Sequence, residues 1–222
     1  MAMRKDIITA ALAILALTLV CGILYPLFIT GIGQVAFPGN ANGQQVHIGG
    51  RLVGSTLIGQ NFADPVLKNG TAVLDKNGNP VTVPDPRYFQ SRPSATLPAD
   101  NAAATTFSNL GPNSVATRQE LTVNIAAYIQ LNGRYYPGGL TAAKVPVDAV
   151  DSSASGIDPG ISVANAHIQA YRIAAVRHLP RSTVDRLIST YTGGRGLGFS
   201  GEPTVNVLHL NLALNRASAG GR

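Results

Sequence analysis

The chain has 222 residues, a net charge of +6 at pH 7, 45% apolar residues and only 13% charged ones. The apolar share excludes disorder by composition. The basic residues lie scattered, with no Lys/Arg run and no aromatic interleaving, which excludes a nucleic-acid-binding reading and leaves an anionic headgroup surface or an acidic partner. One cysteine, Cys21, excludes any disulfide within the chain.

The charge deficit has a single source. Between Asp6 and Arg51 there is no Asp, Glu, Lys or Arg. Ile7 to Phe28 reads IITAALAILALTLVCGILYPLF. At 1.5 Å per residue this run spans about 33 Å, the thickness of a bilayer's hydrocarbon core. It is too long for a cleaved signal and continues past any small-residue cleavage site; the bulky Val20 before Cys21 disfavours a lipoprotein signal. The pattern predicts one uncleaved transmembrane helix over residues 7–30, with residues 1–6 on the cytoplasmic side. Arg4 and Lys5 precede the run and nothing basic follows until Arg51, so the positive-inside rule places the C-terminal part outside. Ala10, Ala13 and Gly22 are small residues that permit close helix packing.

Residues 31–50 are rich in Gly, Asn and Gln and read as a juxtamembrane linker. Residues 51–216 read as one mixed α/β (α+β) extracytoplasmic domain, and 217–222 as a polar tail. Within the domain, residues 66–84 read as a hairpin insertion, because Asn77-Gly78 separates two β-prone runs. DKNG at 75–78 is close to a P-type ATPase phosphorylation motif, but the chain lacks the large domains that chemistry needs. Asp85 to Pro112 is a proline-pinned irregular loop. Leu121, Ile125, Tyr128 and Ile129 make an apolar stripe that predicts a helix from Arg118 to Asn132, ended by Gly133. Lys144 to Val150 alternates as a strand or extended entry would. Ser162 is the expected N-cap of a helix to about His178, and Ser182, with Asp185, that of another. Thr204 to Leu214 alternates and is the best strand candidate.

Catalytic motifs are missing. There is no Walker A loop, CxxC, HExxH or GxSxG, and the Gly193–Gly198 loop has no Lys. The four histidines show no ligand spacing, and Asp148, Asp151 and Asp158 surround a turn without EF-hand spacing. No metal site is expected.

Four stretches together resemble the C subunit (KdpC) family of the bacterial Kdp-type potassium-transporting P-type ATPase. They are GSTLIGQNF with RYFQSRPSA (Gly54–Phe62 and Arg87–Ala95), SNLGP (Ser108–Pro112), VPVDAVDSSASGIDPGIS (Val145–Ser162) followed by Gln169 and Arg172, and GEPTVNVLHLNLAL (Gly201–Leu214). The chain departs from the family's pattern in the 66–83 insertion, flanked by Asp64-Pro65 and Asp85-Pro86, at Thr105-Thr106-Phe107, and at Gly160, where a His is frequent.

The resemblance implies a non-catalytic subunit that assembles and stabilises a channel-like potassium-binding subunit and a P-type ATPase subunit. K+ is carried by the complex, and this chain binds no cofactor of its own. ATP enters only because the family is described as raising the ATP affinity of the ATPase subunit, with Gln169 at the implicated position. That role conflicts with a domain outside the membrane, since ATP is cytoplasmic. Partner-contact candidates from the signatures are Tyr88, Phe89, Arg92, Pro93, Ser94, Asn109, Leu110, Asp158, Arg172, Asn206 and Asn211. The alternative is a single-pass extracytoplasmic sensor or ligand-binding module.

Overall fold

The computed structural model describes residues 2–104, 106, 109–196 and 198–219. The chain divides into two units, Met1–Val53 and Gly54–Arg222.

The first unit is dominated by one helical run. Helix α1 (Ala2–Leu17) passes into a π-helical segment (Thr18–Leu24) and then into α2 (Tyr25–Ala36). Met3–Ala36 is the one helix among the described residues long and apolar enough to cross a membrane. At 34 residues it reaches about 51 Å.

The expected linker at 31–50 is largely ordered structure instead. Gly31 and Gly33 do not stop the helix, because Ile32 and Val35 continue its apolar surface. The stop comes at Phe37, pushed out of the helical region by Pro38 (φ −136°, ψ 51°). A short helix, α3 (Pro38–Ala41), follows. Asn42 and Gln34 exchange side-chain amide hydrogen bonds at 3.0 and 3.3 Å across the break. Strands β1 (Gln45–Ile48) and β2 (Arg51–Ser55) then pair as the chain crosses into the second unit.

The second unit begins with short ladders. β3 (Ala63–Pro65) pairs antiparallel with β6 (Thr82–Pro84). Between them β4 (Leu67–Lys68) pairs with β5 (Thr71–Ala72). The turn that closes this inner pair is Asn69-Gly70, at φ 53° and 80°, the positive φ values a two-residue hairpin turn demands. Asn77-Gly78 sits instead in a five-residue loop, Asp75–Asn79, whose backbone N–H groups at 77 and 79 donate to Asp75 Oδ1.

Residues 85–114 form no regular element among those described. Helix α4 (Val115–Asn132) follows, with Gly133 at its end. Of the strand or extended entry expected at 144–150, only Val145 and Pro146 are extended, between two 3-10 turns, Ala142–Lys144 and Val147–Ala149. Pro146 between them interrupts any ladder. The last stretch alternates strand and helix: β7 (Gly160–Ser162), α5 (Val163–Arg177), α6 (Arg181–Thr190), β8 (Thr192–Gly193), β9 (Thr204–Asn206) and α7 (Val207–Ala219). The three strands form one antiparallel sheet in the order β7-β9-β8.

Two start signals have different outcomes. Ser162 caps α5, accepting from the Asn165 N–H at 3.1 Å. Ser182 does not cap α6: that helix starts one residue earlier, after Pro180, and Asp185 pairs with Arg181 and His167 instead. The largest difference is at 204–214. Only Thr204–Asn206 is strand; the rest is α7. Val207, Leu210 and Leu214 are fully buried at spacings of three and four, the helical repeat that the local alternation masked. His209 therefore lies on a helix, near Tyr191, rather than in a sheet. The expected polar tail is helical through Ala219, with Ser218 Oγ accepting from Arg177; residues 220–222 lie outside the described residues.

Helix α5 is central. Ala166, Ala170 and Ile173 enter a core with Val184 and Ile188 of α6, Ile161, Val205, Phe89, and Val207, Leu210 and Leu214 of α7. Ile168 turns to a second cluster with Tyr128, Leu140, Ala149 and Val150. Leu121, Ile125 and Ile129 of the α4 stripe pack on that second cluster. The molecule is thus an N-terminal apolar helix followed by a mixed helix/sheet domain.

Candidate functional site

A polar face lies inside the domain. Asn165, Gln169 and Arg172 stand at spacings of four and three along α5, on one face, and each is at most 1% exposed. A buried polar group must be hydrogen-bonded or it costs stability. Here the partners are one another, neighbouring side chains and backbone atoms of the irregular segment 85–90.

The Gln169 amide grips residue 90 on both its backbone groups. The Gln90 N–H donates to Gln169 Oε1 at 2.8 Å, and Gln169 Nε2 donates to the Gln90 carbonyl at 3.0 Å. Asn211, on α7, does the same to the residue before. The Phe89 N–H donates to Asn211 Oδ1 and Asn211 Nδ2 donates to the Phe89 carbonyl, both at 2.9 Å. Successive residues of an extended chain present their backbone groups to opposite sides. Two helices can therefore hold one strand-like segment between them, each with an amide in place of a neighbouring strand. The Gln90 side chain completes the lock, donating to the carbonyls of Phe62 and Asp85 at 2.9 Å.

Arg172 fastens the same segment further upstream. Its Nη1 donates to the carbonyls of Pro86 and Tyr88, its Nη2 to Gln169 Oε1 at 2.8 Å and its Nε to Asn132 Oδ1 at 2.9 Å. The guanidinium is fully buried and none of its bonding partners is a carboxylate. Burial pulls its pKa down to about 10, still charged at neutral pH. Gln169 Nε2 also donates to Asn165 Oδ1 at 3.0 Å, and so does the Tyr128 hydroxyl at 2.8 Å. Burial pushes the Tyr128 phenol up, so it remains a donor. Asp148 closes the network below, accepting from the Ser162 N–H at 2.8 Å and Asn165 Nδ2 at 3.0 Å.

At the other end of this segment, Asp85 is buried and accepts from the Arg87 N–H, Nε and Nη2. Burial opposes its ionisation, but the Arg87 hydrogen bonds outweigh that and hold its carboxyl below the ordinary range. Tyr88 lies between the Phe62 ring and the Arg177 guanidinium, at 5.5 and 4.7 Å.

A cavity of about 220 Å³ opens beside the network, lined by Phe62, Gln90, Arg92, Asp100, Tyr128 and Gln169 among others. Arg92 pairs with Asp158 at 3.2 Å, and Ser94 Oγ donates to the Gly156 carbonyl at 2.6 Å while accepting from the Asp100 N–H at 2.9 Å. Gly156 is required at this crossing: its φ is 72°, and a Cβ would lie 2.6 Å from the Thr106 carbonyl. Burial pushes the Asp100 carboxyl up to about 6. Among the described residues no three His, Cys, Asp or Glu side chains gather as metal ligands.

The structure thus sorts the residues singled out in the sequence. Gln169, Phe89, Arg172 and Asn211 are brought together, but in the interior, so they are not surface groups offered to a partner. Their burial follows from the backbone they hold. Arg92, Pro93 and Ser94 sit half-buried in the cavity lining, and Asp158, also half-buried, is held by Arg92. Asn206 caps α7, accepting from the His209 N–H at 3.0 Å, and donates to the Thr56 carbonyl at 2.8 Å. Asn109 and Leu110 are exposed. Ser108, Thr105, Phe107 and Leu197 of the glycine-rich loop lie outside the described residues. Ala10, Ala13 and Gly22 lie exposed on the N-terminal helix. Asn165, Asn132 and Gln90 join the site without any sequence motif of their own, and Tyr128, read as part of an apolar stripe, contributes its hydroxyl; the signal for Asn165 is its i, i+4 spacing from Gln169.

The chain matches the family model described as KdpC: K+-transporting ATPase, c chain, over residues 7–216. It is similar to a potassium-transporting ATPase KdpC subunit of Methylococcus capsulatus, 44% identical over 207 residues that cover 93% of this chain and 95% of that one. A KdpC subunit of Mycobacterium bovis is 41% identical over 214 residues, 96% of this chain and all of its own length. One from Ralstonia nicotianae is 42% identical over 213 residues, 95% of this chain and 91% of its own. The match runs from within the apolar helix into the last helix of the domain, and the chain belongs to the KdpC family, the c chain of the K+-transporting ATPase.

Proposed function

We propose that this chain is a non-catalytic subunit that assembles and stabilises a K+-transporting ATPase. Its N-terminal helix spans the membrane with Arg4 and Lys5 on the cytoplasmic side, and its domain lies outside, against a channel-like potassium-binding subunit and a P-type ATPase subunit. The family match over residues 7–216 carries this reading. The interior supports it: the signature residues Gln169, Arg172 and Asn211 are occupied in holding backbone, which is the chemistry of a scaffold. Every donor and acceptor group of the Gln169 amide is engaged inside the domain. An influence on ATP affinity then travels through packing of the subunits rather than by Gln169 touching nucleotide. Asn109 and Leu110 are exposed signature residues and the first candidates for partner contact.

Co-purification tests the core of this reading. Expressed with its neighbouring subunits, the tagged chain should bring down a channel-like subunit and a P-type ATPase; recovery of the chain alone would sink it. Orientation is read separately. In a Cys21→Ser background, a cysteine at Asn77 should react with a membrane-impermeant thiol reagent on intact protoplasts. Labelling only after lysis would invert the topology.

A further inference from the structure

The N-terminal helix contains a backbone defect. In the π segment the Tyr25 N–H donates to the Val20 carbonyl, five residues back. The next residue, Pro26, has no N–H. Helix α2 has Leu24 as its N-cap, whose carbonyl takes the first bond of the new helix, from Phe28. Only the Leu27 N–H remains for the carbonyls of Cys21, Gly22 and Ile23. It reaches Gly22 at π spacing or Ile23 at α spacing, and in neither case Cys21. No side chain of the helix fills the gap. A helical Thr hydroxyl reaches four residues back, as Thr30 does to the Pro26 carbonyl at 2.8 Å, and no Ser or Thr stands at 25–27. The site is open: Cys21 and Gly22 are exposed, and a Cβ placed on Gly22 would meet only Thr18 Cγ2, at 3.8 Å.

Hydrocarbon supplies no hydrogen-bond donor, and a backbone carbonyl left without one in a bilayer is costly. We propose that the Cys21 carbonyl, with those of Gly22 and Ile23 beside it, accepts a hydrogen bond from a donor side chain (a hydroxyl or amide) on a transmembrane helix of a partner subunit. The missing Cβ at Gly22 lets that helix approach the backbone. The contact fixes the point and rotation at which the two helices cross. This inference rests on the reading of the N-terminal helix as a membrane-embedded packing surface.

Cys21 is the chain's one cysteine, so cysteine labelled with 13C and 18O at its carbonyl marks this group alone. The labelled full chain is placed in lipid bilayers, alone and assembled with unlabelled partner subunits, and its isotope-edited amide I band is recorded. The band should shift to lower frequency on assembly. In Pro26→Ala, where the new N–H supplies the donor, it should lie low in both states; in Gly22→Leu the assembly-linked shift should be lost. An assembled complex whose band stays put overturns the proposal and leaves the packing reading standing. A band already low in the isolated chain assigns the carbonyl to water or lipid and overturns it equally. If no complex forms, the reading beneath it fails too, and purification shows this before any spectrum is taken.

Discussion

Two neighbouring stretches of the domain reverse the usual association of regular structure with burial. Residues 63–84 form paired strands with hairpin turns, yet Leu67, Leu74, Val81 and Val83 are all exposed. Residues 85–90 have no ladder at all, yet Asp85 and Phe89 are buried and almost every backbone group has a side-chain partner. Backbone polar groups need partners wherever water is excluded, but the partners need not be backbone. In the first stretch neighbouring strands supply them and the ladder can project. In the second, Gln169, Asn211 and Arg172 supply them from helices, so the segment is fixed to the core.

The strongest way to break this contrast is Arg172→Met. It strips the donors from the buried carbonyls of Pro86 and Tyr88 and from Asn132 Oδ1, and should cost about 1–3 kcal/mol for each acceptor left without a partner, read in urea unfolding. Gln169→Ala and Asn211→Ala each leave one backbone N–H and one carbonyl buried without partners, at about 1–3 kcal/mol apiece. A loss below about 0.5 kcal/mol in either would show that the segment is held by packing of Phe89 and not by the clamps.

Asp100→Asn sharpens the comparison from the side of charge. Burial raises its pKa from 3.8 to about 6, so the folded domain holds a proton that the unfolded chain releases. Stability from this group is full below about pH 4, is lost as pH rises through about 6, and stays lower above. The Asn variant should be more stable at pH 7, by up to about 3 kcal/mol for a shift of about two units, and match the parent near pH 4. A gain of equal size at both pH values would assign the effect to something other than ionisation. The smallest change is expected in the projecting ladders. Asp75→Ala removes the acceptor that holds the 77 and 79 N–H groups in a projecting turn, and should shift the urea midpoint least of these variants.

Sequence patterns conveyed elements wherever one periodicity dominated. The apolar run at 7–28, the α4 stripe and the Ser162 cap are local signals, and their structural counterparts sit where the pattern placed them. The strand expected at 204–214 failed because the alternation is realised only in Thr204–Asn206, before α7 begins at Val207; the helical spacing 207, 210, 214 runs underneath. The site was half legible. The resemblance drew attention to Gln169 and Asn211 but not to what they hold. Their partners lie 79 and 122 positions away in the chain, and the bonded atoms belong to the backbone, which carries no residue-specific pattern.

The distance between a clamp and its target also sets a timetable for biogenesis. Phe89 is synthesised 122 residues ahead of Asn211. At about 5–20 residues per second, the segment waits roughly 6–24 s after leaving the ribosome's active site before its second amide exists. Gln169 and Arg172 appear about two-thirds of the way through that interval and supply partners for Gln90, Pro86 and Tyr88 first, so the Phe89 backbone waits longest. The nascent chain therefore carries this segment with its clamps incomplete until the last helix is synthesised.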